Sequence, residues 1–359
     1  MTQLRFRGAV APLRRAEYDS PLRRHNADLP NRVDALVASL RPEEPLHCLR
    51  PATLEAAARA FTAAFPGETL YAVKCNPEPA VLRALWRGGV RHFDCASDAE
   101  VRLVRTMFPD AAIHFMHPVK SRAAIREAWG RHGVRDFVLD SAEELAKIVA
   151  ETSAPDDLGL VVRLALPKGG AVYDLSGKFG ADHAEAVALL RAARPHAARL
   201  GVSFHVGSQC LDPGAYARAV ARAAAVIREA GVAVEVLDIG GGFPAAYPDV
   251  TPPPLGDFMA AIRGAVAEHG LGHMRLWAEP GRALVAGGAS LVVQVQARRG
   301  DALFINDGVY GALSDAGAPG FRFPVRLIRA GAAVPEELIP FSFFGPTCDS
   351  ADQMAGPFH

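Results

Sequence analysis

The chain has few cysteines, no long apolar run and no net charge. Its five cysteines, among 359 residues, show no paired CxxC spacing, which argues against a zinc site or a disulfide framework. Its twelve histidines form no HExxH or comparable ligand pair, so we expect no metal. Because 39 basic side chains balance 39 acidic ones, the composition gives no indication of a nucleic-acid or membrane-surface partner.

The sequence also shows no segment with the pattern of a membrane span or of a secretory signal. No unbroken apolar segment reaches transmembrane length. Residues 1–27 mix arginines with acids and prolines and lack the apolar run of a secretory signal. Together with the unpaired cysteines, this predicts a protein of the reducing cytoplasm with no membrane partner.

Apolar side chains are plentiful, at 50% of the residues, which is enough for a large core and two domains. Between Thr69 and Ala278, short apolar runs alternate with longer alanine-rich amphipathic stretches, such as 143–151 and 216–230. This alternation is typical of βα units and a parallel sheet. The predicted strands are 70–73, 90–93, 112–115, 136–139, 159–164, 202–206, 234–239 and 274–278. Eight strands predict an α/β fold of the (β/α)8 TIM-like barrel type.

The pattern changes after Arg282 to β-rich runs broken by glycine and proline, without helical stretches between them. These runs are 290–296, 302–305, 325–328 and 340–344. They predict a second, mostly antiparallel β-domain. The N-terminal residues, with a short strand at 46–49, precede the first barrel helix at 51–65 and can join this domain. We therefore predict a barrel at 51–283 and a β-domain formed by 1–50 with 284–359.

Polar side chains follow the predicted barrel strands, where the chemistry of such barrels gathers. They are Lys74, Asp94, His117, Asp140, Arg163, His205, Asp238 and Glu279. Lys74, in the segment YAVKCN at 71–76, is the most informative, because a neutral amine attacks a carbonyl to form a Schiff base. Burial near other cations or in an apolar pocket would lower its pKa and favour that form. The alternative is a surface lysine at a strand end.

The segment Glu279-Pro-Gly-Arg282 ends another apolar run. A pyridoxal phosphate enzyme needs a lysine for the aldehyde, a partner for the pyridine nitrogen and donors for the phosphate. Glu279 can supply the second, and Arg282 with nearby backbone amides can supply part of the third. The alternative is a local ion pair that caps a strand.

Two further segments fit such a cofactor. His205 precedes a glycine that allows close approach, so its imidazole can stack on a flat ring, while Ser208 can donate to a phosphate. The three glycines at 240–242 can turn successive N–H groups toward an anion. Their place after the seventh strand is the usual phosphate position in these barrels.

Seven motifs, in this order, resemble the pyridoxal phosphate enzymes of the alanine racemase fold type, specifically the ornithine/diaminopimelate decarboxylase branch. They are YAVKCN at 71–76, FDCAS at 93–97, HVGS at 205–208, GGGF at 240–243, EPGR at 279–282, NDGVYG at 306–311 and GPTCDS at 345–350. The resemblance runs from about Leu46 to Gly356. It implies a barrel plus a β-domain, and a homodimer whose active sites lie at the interface.

The resemblance also implies roles for individual residues. Lys74 would hold the cofactor as a Schiff base, His205 would stack on its ring, and Glu279 would keep the pyridine nitrogen protonated. The other cofactor-binding residues would be Asp94, Arg163, Ser208, Gly241, Gly242 and Arg282. Cys348 would reach the partner's site as proton donor to the product carbanion. Asp349 would contact the substrate side chain there.

The substrate is predicted from Asp349, because the diaminopimelate enzymes usually carry glutamate at the corresponding place. A carboxylate there suits the distal ammonium of ornithine or lysine, and the expected product is a diamine of polyamine biosynthesis, putrescine or cadaverine. The eukaryotic ornithine enzymes carry a Tyr-Asp-His segment where residues 314–320 read SDAGAPG, so Asp315 is a non-equivalent substitute. Tyr310 is a further candidate for substrate binding. Diaminopimelate or another diamino acid stays open.

The end of the sequence departs from the resemblance. Family members continue beyond the position of His359 with further strands and a Gly-Ala-Tyr segment that contributes a tyrosine to the cofactor site. We therefore expect the C-terminal part of the β-domain to be incomplete.

Three alternative functions stay open for a chain with these motifs: a pyridoxal phosphate carrier, a non-catalytic regulator, and a racemase. Racemases of this fold pair the pyridine nitrogen with arginine, so Glu279 favours decarboxylation.

Overall fold

The computed structural model describes residues 5–8, 29–152, 156–166, 171–173, 177–317, 322–331, 334 and 337–358. Its strands, in chain order, are β1 (Arg5–Gly8), β2 (Leu46–Leu49), β3 (Glu68–Ala72), β4 (His92–Cys95), β5 (Ala112–Phe115), β6 (Asp136–Leu139), β7 (Gly159–Arg163), β8 (Ala171–Tyr173), β9 (Arg199–Ser203), β10 (Ser208–Cys210), β11 (Val236–Asp238), β12 (Arg275–Ala278), β13 (Ala289–Arg299), β14 (Ala302–Ile305), β15 (Val325–Ile328), β16 (Phe341–Phe344) and β17 (Gln353–Phe358).

The α-helices separate the parallel strands and follow the predicted amphipathic stretches. They are α1 (Leu29–Leu40), α2 (Pro51–Ala64), α3 (Pro79–Arg87), α4 (Asp98–Met107), α5 (Arg122–Gly130), α6 (Ala142–Thr152), α7 (His183–Ala193), α8 (Pro213–Ala230), α9 (Leu255–Glu268) and α10 (Arg282–Val285).

Eight parallel strands close into a barrel in the order β3-β4-β5-β6-β7-β9-β11-β12, and β12 pairs with β3 to complete it. The predicted (β/α)8 barrel is therefore confirmed. Its interior holds a buried apolar cluster that includes Leu70, Val161 and Trp277. Each large apolar side chain buried in this way contributes roughly 1.5–3 kcal/mol. The carboxyl ends of all eight strands meet at one rim, which brings the residues that follow them together.

Local signals in the sequence explain where the barrel helices begin. Ser97 accepts a hydrogen bond from the Glu100 backbone N–H at the start of α4, and Ser121 accepts one from Ala124 at the start of α5. Asp182 forms a capping box with Glu185 at the start of α7. Such caps satisfy N–H groups that have no partner inside the helix, and each contributes about 1 kcal/mol.

The strand β9 ends earlier than predicted. The sequence predicts a strand at 202–206, whereas β9 covers Arg199–Ser203. The chain leaves the barrel after Ser203 and turns at Gly207, which has a φ of +99°. His205 therefore lies in a turn beyond the strand, and not on the strand itself.

The β-rich part forms a seven-stranded sheet in the order β15-β1-β13-β14-β16-β17, with β2 also paired to β13. Its pairs are antiparallel apart from β14 with β16, which is parallel, so a mostly antiparallel sheet is confirmed. A second buried core contains Leu303, Phe343 and Met354. The strands β1 and β17 are absent from the prediction, and a short 3-10 helix at Ser314–Gly317 interrupts the run of strands.

The described residues divide into two compact units. One consists of the described parts of 1–53, 246–251 and 288–359, and the other of those of 54–245 and 252–287. The barrel lies in the second unit and the seven-stranded sheet in the first. The predicted domain boundaries, at 51 and 283, stay a prediction.

All five cysteines lie in the described part of the chain, and each is a free thiol. Among the described helices, none has the length and the apolar composition that crossing a membrane requires.

Candidate active site

Lys74 lies in a short 3-10 turn, Val73–Cys75, directly after β3. Its Nζ is 2.9 Å from Oδ2 of Asp94, which β4 places beside Ala72 in register. The Asp94 side chain is fully buried, whereas that of Lys74 is 55% exposed in this single chain. A lysine and an aspartate from neighbouring strands thus form an ion pair at the carboxyl rim of the barrel.

The ion pair raises the pKa of Lys74 above its ordinary value, because the charge of Asp94 stabilises the ammonium more than burial destabilises it. The sequence-based expectation had been that burial or neighbouring cations lower this pKa. That expectation is wrong for the free amine, because it left out the carboxylate of the next strand. In this ion pair, Lys74 is held as an ammonium.

Two carboxyl groups, one buried and one half-buried, lie at the ends of adjacent strands. Asp238 is the last residue of β11, and Glu279 directly follows β12. Burial raises the pKa of Asp238 to about 6. Burial and, after it, the charge of Asp238 raise the pKa of Glu279 well above its usual range. The charge of Asp238 therefore adds to the cost of ionising Glu279.

The imidazole of His205 is fixed as a neutral ring. The Gly207 N–H donates to its Nδ1 at 3.0 Å, which assigns the ring proton to Nε2. Burial, followed by the charges of Arg163 and Lys74, lowers the pKa of His205 to about 3. A neutral, buried and oriented ring is suited to stacking on another flat ring.

Glycines 240–242 pack so closely that no side chain fits there. A Cβ on Gly240 would lie 2.1 Å from Phe204 O, and one on Gly242 would lie 2.4 Å from Gly207 O. Both residues have a positive φ, +65° and +96°. A Cβ on Gly241 would lie 3.1 Å from His205 Nε2. The absence of side chains leaves this turn's backbone open to a ligand beside the imidazole.

Two polar side chains extend this glycine turn. Arg282 Nη2 lies 3.5 Å from Ser208 Oγ and donates to it. The buried Tyr216 hydroxyl donates to Gly241 O at 3.0 Å and so fixes the turn from behind. Backbone N–H groups, a hydroxyl and a guanidinium are the donors that hold phosphate in proteins.

Arg163 ends β7 and faces the ring of Phe179 at 5.9 Å. The segment that carries Phe179 is held to the rim because the Gly180 N–H donates to Asp140 Oδ2 at 2.9 Å. Arg163 is close enough to affect the pKa values of Lys74, His205 and Glu279. All nine predicted cofactor-binding residues belong to the same compact unit.

The predicted substrate-binding residues and Cys348 belong to the other compact unit. Tyr310, 62% exposed, donates its hydroxyl proton to Asp349 Oδ2 at 2.7 Å. The Ala351 N–H also donates to Asp349, and these bonds lower the pKa of that carboxyl. Cys348 is exposed, and Asp315 lies in the 3-10 helix Ser314–Gly317. Their predicted roles stay predictions.

Sequence reasoning overlooked two residues of this site. Asp238 was noted only as a polar strand end, although its place on the strand beside Glu279 could have revealed the carboxyl pair. Gln209, which is fully buried next to Ser208, was not singled out at all. Its partner is 36 residues away in sequence, and no local pattern indicates that contact.

The donor set fits pyridoxal phosphate. An amine is available for the aldehyde, a neutral imidazole for the ring, a half-buried carboxyl group for the ring nitrogen, and a glycine cradle with Ser208 and Arg282 for the phosphate. In addition, Asp94 Oδ1 is buried and makes no hydrogen bond to any described residue. No group of three or more metal-ligating side chains occurs in the described ranges.

Comparison with known proteins agrees with this fit. The sequence model of the family described as "Pyridoxal-dependent decarboxylase, pyridoxal binding domain" matches residues 51–286, more than half of the chain. A lysine/ornithine decarboxylase from Selenomonas ruminantium is 32% identical over 299 residues, which cover 80% of this chain and 73% of that protein. The ornithine decarboxylase of Mus musculus is 33% identical over 316 residues, covering 79% of this chain and 65% of the relative.

Among solved structures, the lysine/ornithine decarboxylase from Vibrio vulnificus complexed with cadaverine superimposes with a TM-score of 0.75 at 33% identity. The match covers 92% of this chain and 86% of that one. Both the sequence and the fold thus lead to one group of carboxy-lyases whose cofactor is pyridoxal phosphate. On these matches, the chain belongs to the pyridoxal-dependent decarboxylases.

Proposed function

We propose that the protein decarboxylates a basic L-amino acid, L-ornithine or L-lysine, to the corresponding diamine, putrescine or cadaverine. The observation that carries the choice of reaction is the half-buried carboxyl group of Glu279, which is coupled to Asp238 and placed among the cofactor-binding residues. A carboxyl partner keeps a pyridine nitrogen protonated. When bound, the cofactor supplies an electron sink for the electron pair that remains at Cα after carbon dioxide leaves.

In this proposal, each residue at the barrel rim has its own role. Lys74 holds the cofactor covalently, and Asp94 holds the Lys74 ammonium in place whenever the amine is free. His205, kept neutral, stacks on the ring without adding a positive charge that would compete for electrons. Arg163 contributes a positive charge close to Lys74, His205 and Glu279. Ser208, Gly241, Gly242 and Arg282 bind the phosphate.

The choice of substrate is supported by Asp349 and by the names of the relatives. Its carboxyl accepts hydrogen bonds from the Tyr310 hydroxyl and the Ala351 N–H, so it is ionised at neutral pH and suited to a distal ammonium. The Vibrio vulnificus structures contain cadaverine and putrescine. Asp315 is a second acidic candidate for the same ammonium, and Cys348, an exposed thiol, is the proposed proton donor to Cα.

The proposed assembly is a homodimer in which Cys348 and Asp349 of one protomer complete the site of its partner. Support comes from the exposure of Tyr310, Cys348 and Asp349 in the single chain. Side chains with defined chemistry and no burial are expected where a second subunit contributes the rest of a site. The proposed compartment is the cytoplasm, which suits five free thiols.

The proposal is tested by product analysis. Purified protein with added pyridoxal phosphate is offered L-ornithine, L-lysine, L-arginine and meso-diaminopimelate separately, and amines are separated by chromatography. Putrescine or cadaverine is the expected product, and their relative kcat/KM ranks the substrates. Lysine released from diaminopimelate would keep the reaction and overturn the role given to Asp349.

The matched control is the Lys74→Arg variant, which keeps a positive charge opposite Asp94 but cannot hold the cofactor covalently. If wild type and this variant are equally inactive on all four substrates while wild type binds the cofactor, the chain is a carrier or a regulator. If both are equally active, a contaminating enzyme produces the amine and the assignment of Lys74 is wrong.

A further inference from the structure

Gln209 is a buried polar residue with an unusual backbone. It lies in β10 between Ser208 and Cys210, and its side chain is fully buried. Its φ is +57°, in the left-handed region that glycine adopts readily and most other residues avoid. A backbone held in such a region persists only where the surrounding structure requires it, and such positions cluster at functional sites.

The side-chain amide of Gln209 explains what requires this conformation. Its Nε2 donates to Ala245 O at 2.6 Å, and its Oε1 accepts from the Ala245 N–H at 3.0 Å. One amide therefore binds both polar groups of one backbone residue 36 positions away. In addition, the Cys210 N–H donates to Gly242 O at 2.9 Å. Three hydrogen bonds thus join residues 209–210 to residues 242–245.

These bonds hold one end of the glycine turn at 240–242. The other end is held separately, because the Gly240 N–H donates to Asp238 Oδ1 at 2.8 Å and the Tyr216 hydroxyl donates to Gly241 O. Glycines have more backbone freedom than any other residue, so a turn of three needs restraints at both ends to keep its N–H groups aimed at an anion. The Gln209 amide is the side-chain restraint at the Ala245 end.

We infer that Gln209 is a positioning residue that aligns the phosphate-binding turn and so determines how strongly the protein prefers the phosphorylated cofactor. The inference rests on the proposed function, in which Ser208, Gly241 and Gly242 hold the phosphate. Gln209 does not touch the reacting atoms in this account. It acts through the adjacent Ser208 and through the turn that Ala245 ends.

A second anchor limits how far the glycine turn can change when the Gln209 amide is removed. Phe243 is buried, and its ring lies 4.9 Å from that of Tyr216 and 4.9 Å from that of Phe61. This packing keeps the turn folded when the amide is removed. Losing the Gln209 side chain should therefore misalign the N–H groups without unfolding the turn.

The experiment measures the affinity of the full chain, freed of cofactor, for two probes: pyridoxal phosphate and pyridoxal, which lacks the phosphate. The variants are Gln209→Gly, which removes the amide and accepts a positive φ, and Gln209→Ala, which removes the amide alone. We expect Kd for pyridoxal phosphate to rise about 10-fold in both, while Kd for pyridoxal changes less than about 2-fold. With saturating pyridoxal phosphate, kcat should stay within about 2-fold of wild type.

The matched control is Gln294→Ala. Gln294 is a buried glutamine of β13, in the other compact unit, where its Oε1 accepts from Gln296 Nε2 at 3.3 Å. This variant should lower the melting temperature and leave the preference for pyridoxal phosphate over pyridoxal unchanged. It separates a general loss of stability from a change in the phosphate site.

Two results would overturn the inference alone. One is an unchanged preference in Gln209→Gly, and the other is an equal loss of affinity for both probes, which would make Gln209 a purely structural residue. A third result differs from these: if wild type itself does not prefer pyridoxal phosphate, the proposed phosphate site is wrong and the inference falls with it. Gln209→Gly keeps the test decisive even if Gln209→Ala fails to fold.

Discussion

The carboxyl groups at the barrel rim and those in the loops of the seven-stranded sheet behave in opposite ways. Asp238 is fully buried and Glu279 is half-buried, and the pKa values of both are raised. Asp349 is exposed, and hydrogen bonds from Ala351 and Tyr310 lower its pKa, so it retains a charge. Burial favours the neutral acid, whereas donated hydrogen bonds at the surface favour the anion.

This contrast suggests two kinds of recognition in one protein. In the proposed function, the carboxyl group of Glu279 at the rim is the partner of a protonated ring nitrogen, and the charge of Asp349 at the surface is the partner of an ammonium on the substrate. At the same rim, the charged form of Lys74 is favoured, because the carboxyl group of Asp94 lies beside it. The predictions below perturb first the rim and then the loop carboxylate.

Lys74→Ala should give the largest effect. Without the amine, the cofactor has no covalent attachment, and turnover should fall by roughly 10³-fold or more. The measurement is the fraction of cofactor that stays attached to the protein after borohydride reduction and denaturation, together with amine production. Lys74→Arg, which preserves the ion pair with Asp94, should lose both in the same way. Full activity in either variant would contradict the whole site assignment.

Glu279→Gln should give the second largest effect. Glutamine preserves the size of the side chain but carries no negative charge, so it cannot stabilise a protonated ring nitrogen. We expect kcat to fall roughly 10²- to 10³-fold while cofactor binding changes little. Glu55→Gln, at a surface ion pair with Arg87, is the matched control and should leave kcat unchanged. A similar fall in kcat in both variants would show that the effect is not specific to the rim.

Asp238→Asn tests whether ionisation of the buried Asp238 carboxyl group lowers the stability of the folded protein at neutral pH. The pKa of Asp238 is about 6 in the folded chain, against 3.8 as its ordinary value. Because the folded pKa is the higher one, the ionised form costs stability. That cost is absent below about pH 3.8, grows as the pH rises, and is complete above about pH 6. The difference in pKa corresponds to about 3 kcal/mol.

Asparagine keeps the oxygen that accepts from the Gly240 N–H but cannot ionise. The free energy of unfolding of Asp238→Asn, measured by urea titration without cofactor, should therefore exceed that of wild type above pH 6. The difference should shrink toward pH 4. Asp249→Asn, at an exposed ion pair with Arg322, is the control for a general change in charge. Parallel pH profiles of wild type and Asp238→Asn would refute the raised pKa.

Sequence patterns predict some strands to the residue in both regions, including β2, β14 and β15 of the seven-stranded sheet. Strands β5 and β6 are predicted to the residue, because buried parallel strands are short apolar runs bounded by polar residues. By contrast, β17 is missed because it contains Gly356 and Pro357, residues that normally argue against a strand. In the sheet region, partners distant in sequence decide which segments become strands.

The candidate site shows the same limit. The residues that follow barrel strands could be predicted, because the fold gathers strand ends at one rim. The direction of the Lys74 pKa shift could not, since it depends on whether burial or the neighbouring carboxyl group has the larger effect. The raised pKa of Lys74 comes from Asp94 on the adjacent strand, and the buried side chain of Gln209 finds its partner in Ala245, 36 positions away.

Asp349→Asn tests the role of the loop carboxylate. If this charge binds the distal ammonium of ornithine or lysine, KM for the diamino acid should rise roughly 10- to 100-fold, and kcat should change only a few-fold. Steady-state kinetics with ornithine and with lysine measures the effects on KM and on kcat separately. The Asp315→Asn variant serves as the comparison, because Asp315 is the other acidic candidate. A larger rise in KM in Asp315→Asn would transfer the ammonium site to that residue.

Tyr310→Phe should give the smallest effect and refine the role of Asp349. It removes the 2.7 Å hydrogen bond to Asp349 Oδ2 and leaves the carboxylate charge, together with the Ala351 N–H that also lowers its pKa. Because the loss of one exposed hydrogen bond has a modest effect, KM should rise only about 2- to 5-fold. A rise as large as that of Asp349→Asn would mean that Tyr310 contacts the substrate directly. In that case the hydroxyl and the carboxylate would form one binding site, in which the tyrosine does more than orient its neighbour.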